Sequence, residues 1–286
     1  MKYAFIDEYR GQYSVAMICR VLGVKRGSYY AHRKRGPCLR RADDVELFSK
    51  ISAIFVAHKT RYGVGRIVDE LRSAGIACSR RRVGRLMREH SMMARARRLF
   101  KTTTTVDASK RIAPDLVLRR FWATRPNELW TADITYIWTR EGWLYLAIVL
   151  DVFSRRIVGW STSKNIDAEL VTAALRLAIA TRTPGALLIF HSDRGSQYCS
   201  NLFRDLLAEH TILQSQGLSC YDNAITETFF HTFKTECVFF ETFDSRHEAH
   251  RTIFEYIEAY YNRKRRNSAI EYLSPVQFEN ELGYAN

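Results

Sequence analysis

Hydrophobic spacing divides the chain into two stretches of different period. Up to about residue 98 the apolar positions recur at helical intervals. Ser14 precedes Val15 to Leu22, where apolar residues fill most positions and Gly23 supplies a stop, and Lys25 to Tyr30 can open a second short helix. Val45, Phe48, Ile51, Ile54 and Phe55 then repeat at helical spacing. Tyr62 and Gly63 break the pattern, and Ile67, Val68 and Leu71 mark a short helix that Gly75 ends. Ser79 is placed to cap the next helix, in which Val83, Leu86 and Met87 form the buried stripe while Arg80, Arg81, Arg82, Arg85 and Arg88 crowd the other faces. A short helix, a glycine turn and an arginine-studded second helix are what a groove-entering helix-turn-helix needs.

From Asn127 onward the pattern changes to strands. In Trp130 to Trp138 the even positions are mostly apolar, whereas Thr131, Asp133 and Thr135 share the opposite face. Trp143 to Leu150 is nearly continuous apolar sequence, as a strand covered on both sides requires, and Arg156 to Ser161 can be a third strand. Asp167 can cap a helix with Leu170, Val171, Ala174, Leu175, Ala178 and Ile179 as its core stripe. Ala186 to Phe190 reads as a short buried strand ending at His191-Ser192-Asp193. A helix near Asn201 to Glu209 and a strand at Ile212-Leu213 lead to a last helix capped by Asp222, with Ile225, Phe229 and Phe233 inward and Glu227, His231 and Lys234 on another face.

Charge sharpens this division. Of the formal net charge of +14, residues 1–120 carry 28 Lys+Arg against 10 Asp+Glu, and residues 121–286 carry 16 against 20. A polycationic first half binds a polyanion by neutralising phosphates, and its segments lack the apolar face of an interfacial helix. No apolar run approaches the roughly 18 to 20 residues that span a bilayer. The start, running from Met1 straight into Asp7-Glu8, does not fit a secretory signal. The expectation is therefore a cytoplasmic protein with no membrane association. The six cysteines form no C-x-x-C pair and read as small buried hydrophobes rather than disulfides.

Carboxylates fall on the first strand, on the fourth and on the last helix. Such hard oxygen ligands suit a pair of Mg²⁺ ions, one activating an attacking oxygen and the other stabilising a leaving oxygen in phosphoryl transfer. Spacing alone leaves the set open, because Asp151 and Asp222 are also available.

At these residues the chain resembles the OrfB-type transposases of the third insertion-sequence family, members of the retroviral-integrase-like DDE superfamily. The matching motifs are Trp130-Thr131-Ala132-Asp133-Ile134-Thr135-Tyr136, Gly142 to Ala147, Asp151 to Trp160, His191-Ser192-Asp193-Arg194-Gly195-Ser196-Gln197-Tyr198, Tyr221-Asp222-Asn223-Ala224 with Glu227 and Lys234, Tyr261-Asn262-Arg263, and Ser274-Pro275. The resemblance covers almost the whole chain. It implies an α/β fold: an RNase H-like core, with a mixed five-stranded sheet and flanking helices, preceded by an all-α basic helix-turn-helix-like region. The expected organisation is a basic helical segment over 1–40, a DNA-binding domain over 41–98, a linker over 99–125, the catalytic core over 126–240 and a helical extension over 241–286.

The resemblance further implies Asp133, Asp193 and Glu227 as the catalytic and metal-binding triad, with two Mg²⁺ ions for which Mn²⁺ can substitute. DNA contacts are expected from Arg61, Tyr62, Arg80, Arg81, Arg82, Arg85, Arg88 and Lys234. The expected reaction is metal-dependent cleavage of element ends and transfer of the 3′-hydroxyl to target DNA. Expected partners are an upstream OrfA-type protein or frameshift fusion and further copies of the chain on DNA, in the nucleoid of a bacterium. A structure-selective nuclease and a silent copy that competes for ends are the alternatives. Two departures stand out. Asn267 replaces the family's usual His before Ser268, and 33 residues separate Asp193 from Glu227, two fewer than in the family pattern, the loss falling before Tyr221. A surface loop absorbs such a change at little cost. Beside an active site, where positions matter to about 0.5 Å, it bears on the activity of the copy.

Overall fold

The structure, a computed structural model, describes residues 2–34, 39–95, 113–185, 187–217 and 223–284, with side chains of the 39–57 helix from residue 43 onward. The chain divides into two compact units, Met1–Ala94 and Arg95–Asn286. Most of the expected linker and the shortened loop before Tyr221 lie outside the described residues.

The first unit is wholly helical: α1 (Lys2–Tyr9), α2 (Val15–Val21), α3 (Arg26–Lys34), α4 (Leu39–Ala57), α5 (Val64–Ser73) and α6 (Arg80–Glu89). The sequence pattern did not anticipate α1. It buries Ile6 with Ile18, Cys19 and Tyr29 from α2 and α3, and the Tyr29 hydroxyl donates to Asp7 at 2.8 Å. In α4 the buried residues are Leu47, Ile51 and Phe55, whereas Val45 is 71% exposed. The inward stripe thus begins two residues later than the sequence pattern suggested. Ile67, Val68 and Leu71 of α5 and Val83, Leu86 and Met87 of α6 are buried as expected. Gly75 takes φ +75° in the turn between these helices, which lets the Ile76 amide return to the Leu71 carbonyl at 2.8 Å. The Ser79 hydroxyl accepts from Arg82 N and starts α6.

The second unit is built on a five-stranded mixed sheet of order β3-β2-β1-β4-β5. Its strands are β1 (Leu129–Thr139), β2 (Gly142–Asp151), β3 (Ile157–Ser163), β4 (Ile189–Ser192) and β5 (Leu213–Gln216). The first three form an antiparallel meander, and β4 and β5 join parallel on the other side of β1. Because side chains alternate across a strand, β1 feeds two cores. Trp130 and Ala132 pack with Ala147, Val149 and Val158 against α7 (Ala168–Arg182) and α8 (Asn201–Glu209). Leu129 and Ile137 pack with Leu146, Ile148 and Leu150 against α9 (Ala224–Phe233) and α10 (Arg246–Phe254). At β3 the fit to α7 is close: a Cβ on Gly159 would lie 2.7 Å from Ala178 Cβ and overlap the Ala174 carbonyl. The chain closes with α11 (Pro275–Glu281), begun by a capping box between Ser274 and Gln277. Among the described residues, no helix is long and apolar enough to cross a membrane.

Candidate active site and DNA interface

The sheet opens where two of the expected ligands sit. β1 and β4 pair only from Leu129 with Ile189 to Thr131 with His191, and then part. Asp133 lies two residues beyond the last pair, and Asp193 directly follows β4. Asp133, within β1 but past the end of its pairing with β4, and Asp193, at the carboxyl end of β4, therefore flank the gap where these neighbouring parallel strands part, as open α/β sheets present ligand sites. Asp193 is fixed by a turn: Oδ1 accepts from Gly195 N at 3.0 Å, and its carbonyl accepts from Gln216 Nε2 at 3.3 Å. A Cβ on Gly195 would come within 3.0 Å of that same Oδ1, so glycine leaves the carboxylate its room. Asp133 Oδ1 accepts from Ile134 N at 2.7 Å.

Glu227 reaches this opening on α9. The sequence placed the helix cap at Asp222, which lies outside the described residues; Asn223 occupies the N-cap, and its side chain does not cap the helix. It donates instead to the Ala132 carbonyl at 2.9 Å, while the Thr226 hydroxyl bridges Thr131 Oγ1 and Asn223 Oδ1 at 2.9 and 2.8 Å. These bonds are buried and pin the first turn of α9 to the residues of β1 just before Asp133. After Phe233 the helix widens into a π-helical turn, Lys234–Val238. Its Glu236 accepts from Arg265 Nε and Nη2 at 2.8 and 2.9 Å and from the Tyr256 hydroxyl at 3.0 Å, anchoring the turn to the C-terminal helices. Lys234 opens the turn with Nζ 4.6 Å above the Tyr136 ring.

The electrostatics join these groups. Burial, then the charge of Asp193 and to a lesser degree that of Glu227, push the Asp133 carboxyl up to about 8, against the Ile134 amide and Lys234. Burial raises Asp193, opposed by the Gly195 amide and His191, and burial raises Glu227 as well. Burial lowers Lys234, and the Asp133 charge opposes it. Mutual repulsion among half-buried carboxylates is the condition a divalent cation relieves, and their oxygens are the donors Mg²⁺ takes. In donor chemistry the residues fit such an ion. Among the described residues, however, no three His, Cys, Asp or Glu side chains converge closely enough to hold one. Glu227, exposed on the first turn of α9, stands in the field of Asp133 without closing a shared ligand shell.

Asp151, the alternative carboxylate, is a structural residue. It is fully buried, accepts from Asn127 N and Phe153 N at 2.9 and 3.0 Å, and pairs with Arg182 at 3.4 Å.

The arginines of α6 fall into two classes. Arg80, Arg81 and Arg88 are exposed. Arg82 and Arg85 are gripped by Asp44 of α4, with Nε and Nη2 donating to its two oxygens at 2.6 and 2.5 Å, and Arg85 also meets Glu89 at 2.9 Å. With Ser79, four of the five line a cleft of about 310 Å³. Tyr62, expected at the DNA surface, is a core residue: it is fully buried, its ring stacked 3.7 Å from His58, while Arg61 beside it is half-buried. A buried aromatic after the helix break was as consistent with the sequence as an exposed one. Asp44 had no sequence signal, because its partners lie 38 and 41 residues away.

Asp44→Asn is expected to release two guanidiniums for phosphate contact. The log–log salt dependence of binding to random duplex DNA then steepens by about one to two, at about 0.9 per added contact. Fluorescence anisotropy across a salt series checks this; an unchanged slope would mean that the pair plays no part in DNA contact.

Comparison with known proteins gives the same picture. Family models described as Integrase core domain match residues 123–217 and 227–282, and one described as HTH-like domain matches 42–100. The transposase InsF for insertion sequence IS3A of Escherichia coli K12 is 39% identical over 285 residues, covering 98% of this chain and 99% of the relative. The insertion element IS600 uncharacterized 31 kDa protein of Shigella sonnei is 38% identical over 263 residues, covering 91% of this chain and 97% of its own length. A solved HTLV-2 integrase catalytic core in complex with magnesium is 15% identical, with 55% of this chain and 98% of that one covered and a TM-score of 0.41. Likeness along nearly the full length of both partners leaves one assignment, and the chain belongs to the IS3 family of insertion-sequence transposases.

Proposed function

We propose that the chain cuts DNA strands at the ends of its element and joins the freed 3′-hydroxyls to target DNA, using Asp133, Asp193 and Glu227 as the ligands of two divalent ions. The observation that supports this most is the placement of Asp133 and Asp193 on either side of the gap where β1 and β4 part, with the first turn of α9, which carries Glu227, pinned to β1 beside them. Mg²⁺ is the expected ion, with Mn²⁺ able to substitute; when bound, the pair lowers the barrier by activating the attacking oxygen and stabilising the leaving one.

The residues themselves do the positioning. Asp133 is held within β1 and by the Ile134 amide, Asp193 by the turn amide of Gly195, and Glu227 rides on a helix turn pinned to β1. Lys234 Nζ holds a strand phosphate beside the carboxylates. Arg80, Arg81 and Arg88, together with Arg61, neutralise phosphates of the duplex. In the cut, the oxygen of water bonds to phosphorus as the strand's 3′-oxygen leaves; in the transfer, that 3′-hydroxyl oxygen bonds to a target-strand phosphorus as the target's own 3′-oxygen leaves with a proton. No covalent enzyme intermediate is required. The chain works as the downstream product of its element, with an OrfA-type partner or frameshift fusion, as an oligomer on DNA in the bacterial nucleoid.

A silent copy that competes for ends is the second reading, favoured by the unclosed triad and the short loop. A joining assay separates the possibilities: labelled duplexes carrying the intact element end and its flank are incubated with the fused protein, Mn²⁺ and a target plasmid. Plasmid-sized labelled product supports the transposase, cut duplex without joining a nuclease, and bound but uncut duplex the silent copy.

A further inference from the structure

The hairpin between β1 and β2 carries two tryptophans into solvent. Trp138 and Trp143 face each other across the strands, edge to face with centroids 4.8 Å apart, yet remain 58% and 42% exposed. Tyr136 sets its ring against Trp143 at 5.1 Å, and Lys234 Nζ caps the Tyr136 ring at 4.6 Å. Lys234 in turn feels the charge of Asp133. Tyr136 and Trp138 lie on the face of β1 opposite Asp133, and Lys234, over the Tyr136 ring, links that face to the candidate active site. The five residues from Asp133 to Trp138 span about 17 Å at ~3.4 Å each, or about five base steps of one strand in B-DNA. Arg246, whose Nε donates to the Trp143 carbonyl at 3.0 Å, adds positive charge beside the outer ring.

A cross-strand tryptophan pair steadies a hairpin through its edge contact, which does not require either ring to stay open to water. Exposed aromatic rings interleaved with cations are the chemistry of single-strand nucleic-acid binding, because every base has a π face to stack. Bases inside a duplex are already stacked on both faces, so such a surface selects unpaired ones.

We propose that Trp138 and Trp143, with Tyr136 and Lys234, form a stacking site for unpaired bases of the DNA strand whose phosphodiester lies at Asp133 and Asp193. The proposal rests on the strand-cleaving reading above and adds that the strand end is held single-stranded along the hairpin.

The test uses the full chain and fluorescein-labelled (dT)15, whose bases stack weakly on one another, in about 0.3 M salt to screen the α6 arginines. Trp138→Leu and Trp143→Leu keep apolar bulk and remove the stacking surface. Each is expected to weaken (dT)15 binding between about fivefold and a hundredfold and to reduce the quenching of tryptophan fluorescence by (dT)15, with duplex affinity and thermal midpoint unchanged. Trp138→Phe, which restores a ring, is expected to recover most of the binding. If the native chain binds duplex DNA and both leucine variants hold (dT)15 within twofold of native, the stacking site is wrong although the DNA-binding reading stands. If the native chain binds neither duplex nor (dT)15, both fall. Unchanged (dT)15 affinity with an altered oligomeric state also overturns the proposal and assigns the hairpin to a contact between copies.

Discussion

Asp193→Asn is expected to abolish metal-dependent strand cleavage, by about 10³-fold or more, while leaving the fold at least as stable as the native one. The first effect follows from losing one anionic ligand of a site whose ions contribute several kcal/mol to the transition state. The second follows from the arrangement of charge. Asp133 and Asp193 stand together in a half-buried opening, each raised chiefly by burial, with Asp193 adding to the shift at Asp133. Neutralising one relieves the other, so a residue kept for chemistry is a liability to the empty fold. Thermal unfolding in EDTA and in Mg²⁺ reads both halves: the native midpoint rises with Mg²⁺, while the variant begins at or above the native EDTA value and responds less. A variant that cleaves normally, or that unfolds well below the native chain in EDTA, would show that Asp193 is a structural turn residue.

The second large effect lies away from the site. Arg182→Met is expected to cost roughly 3–5 kcal/mol of stability. Arg182 is 3% exposed and joins Asp151 at the end of β2 to Glu279 of α11, which also accepts from the Ser154 hydroxyl and Arg156 Nη1, each at 2.6 Å. Burial pushes Asp151 up to about 6 despite the amides and Arg182 around it. Burial also acts upward on Glu279, but its bonds to Arg182, Ser154 and Arg156 hold it below the usual carboxylate range. Removing the guanidinium leaves two carboxylates buried near one another. Urea unfolding measures the loss, and Glu279→Leu added to Arg182→Met is expected to recover part of it, because the remaining uncompensated charge is then smaller. A loss below 1 kcal/mol for the single variant would mean that water reaches these carboxylates.

Elements whose signal is local were legible in the sequence. The caps Ser79 and Asp167 each accept the amide expected of them, and α8 spans the residues its pattern marked. The alternation put Asp133 on the face of β1 opposite Trp130 and Ala132, which the structure also has, although that face carries Leu129 and Ile137 into a second core. Residues whose role depends on partners far along the chain were not legible. Asp44 and Arg182 carried no signal in the sequence, and Asn223 stood only as part of a motif, not as the pin that sets α9 on β1. Tyr62 was misread because an aromatic after a helix break packs inward or outward with the same spacing. The π-helical turn at Lys234 interrupts the 3.6-residue period just where the pattern of Ile225, Phe229 and Phe233 ends, so periodicity could not extend to it.

The triad can be tested most directly by Mn²⁺-dependent nicking of supercoiled DNA that carries the element's flanking sequences. Native protein is compared with Glu227→Gln and with a form in which two residues are restored to the loop before Tyr221, all as the fusion with the upstream partner. The expected result is nicking by the native fusion that Glu227→Gln removes, showing that Glu227 closes onto Asp133 and Asp193 despite the shorter loop. Nicking that survives Glu227→Gln would contradict the triad, and nicking only by the loop-restored form would make this copy a decayed transposase.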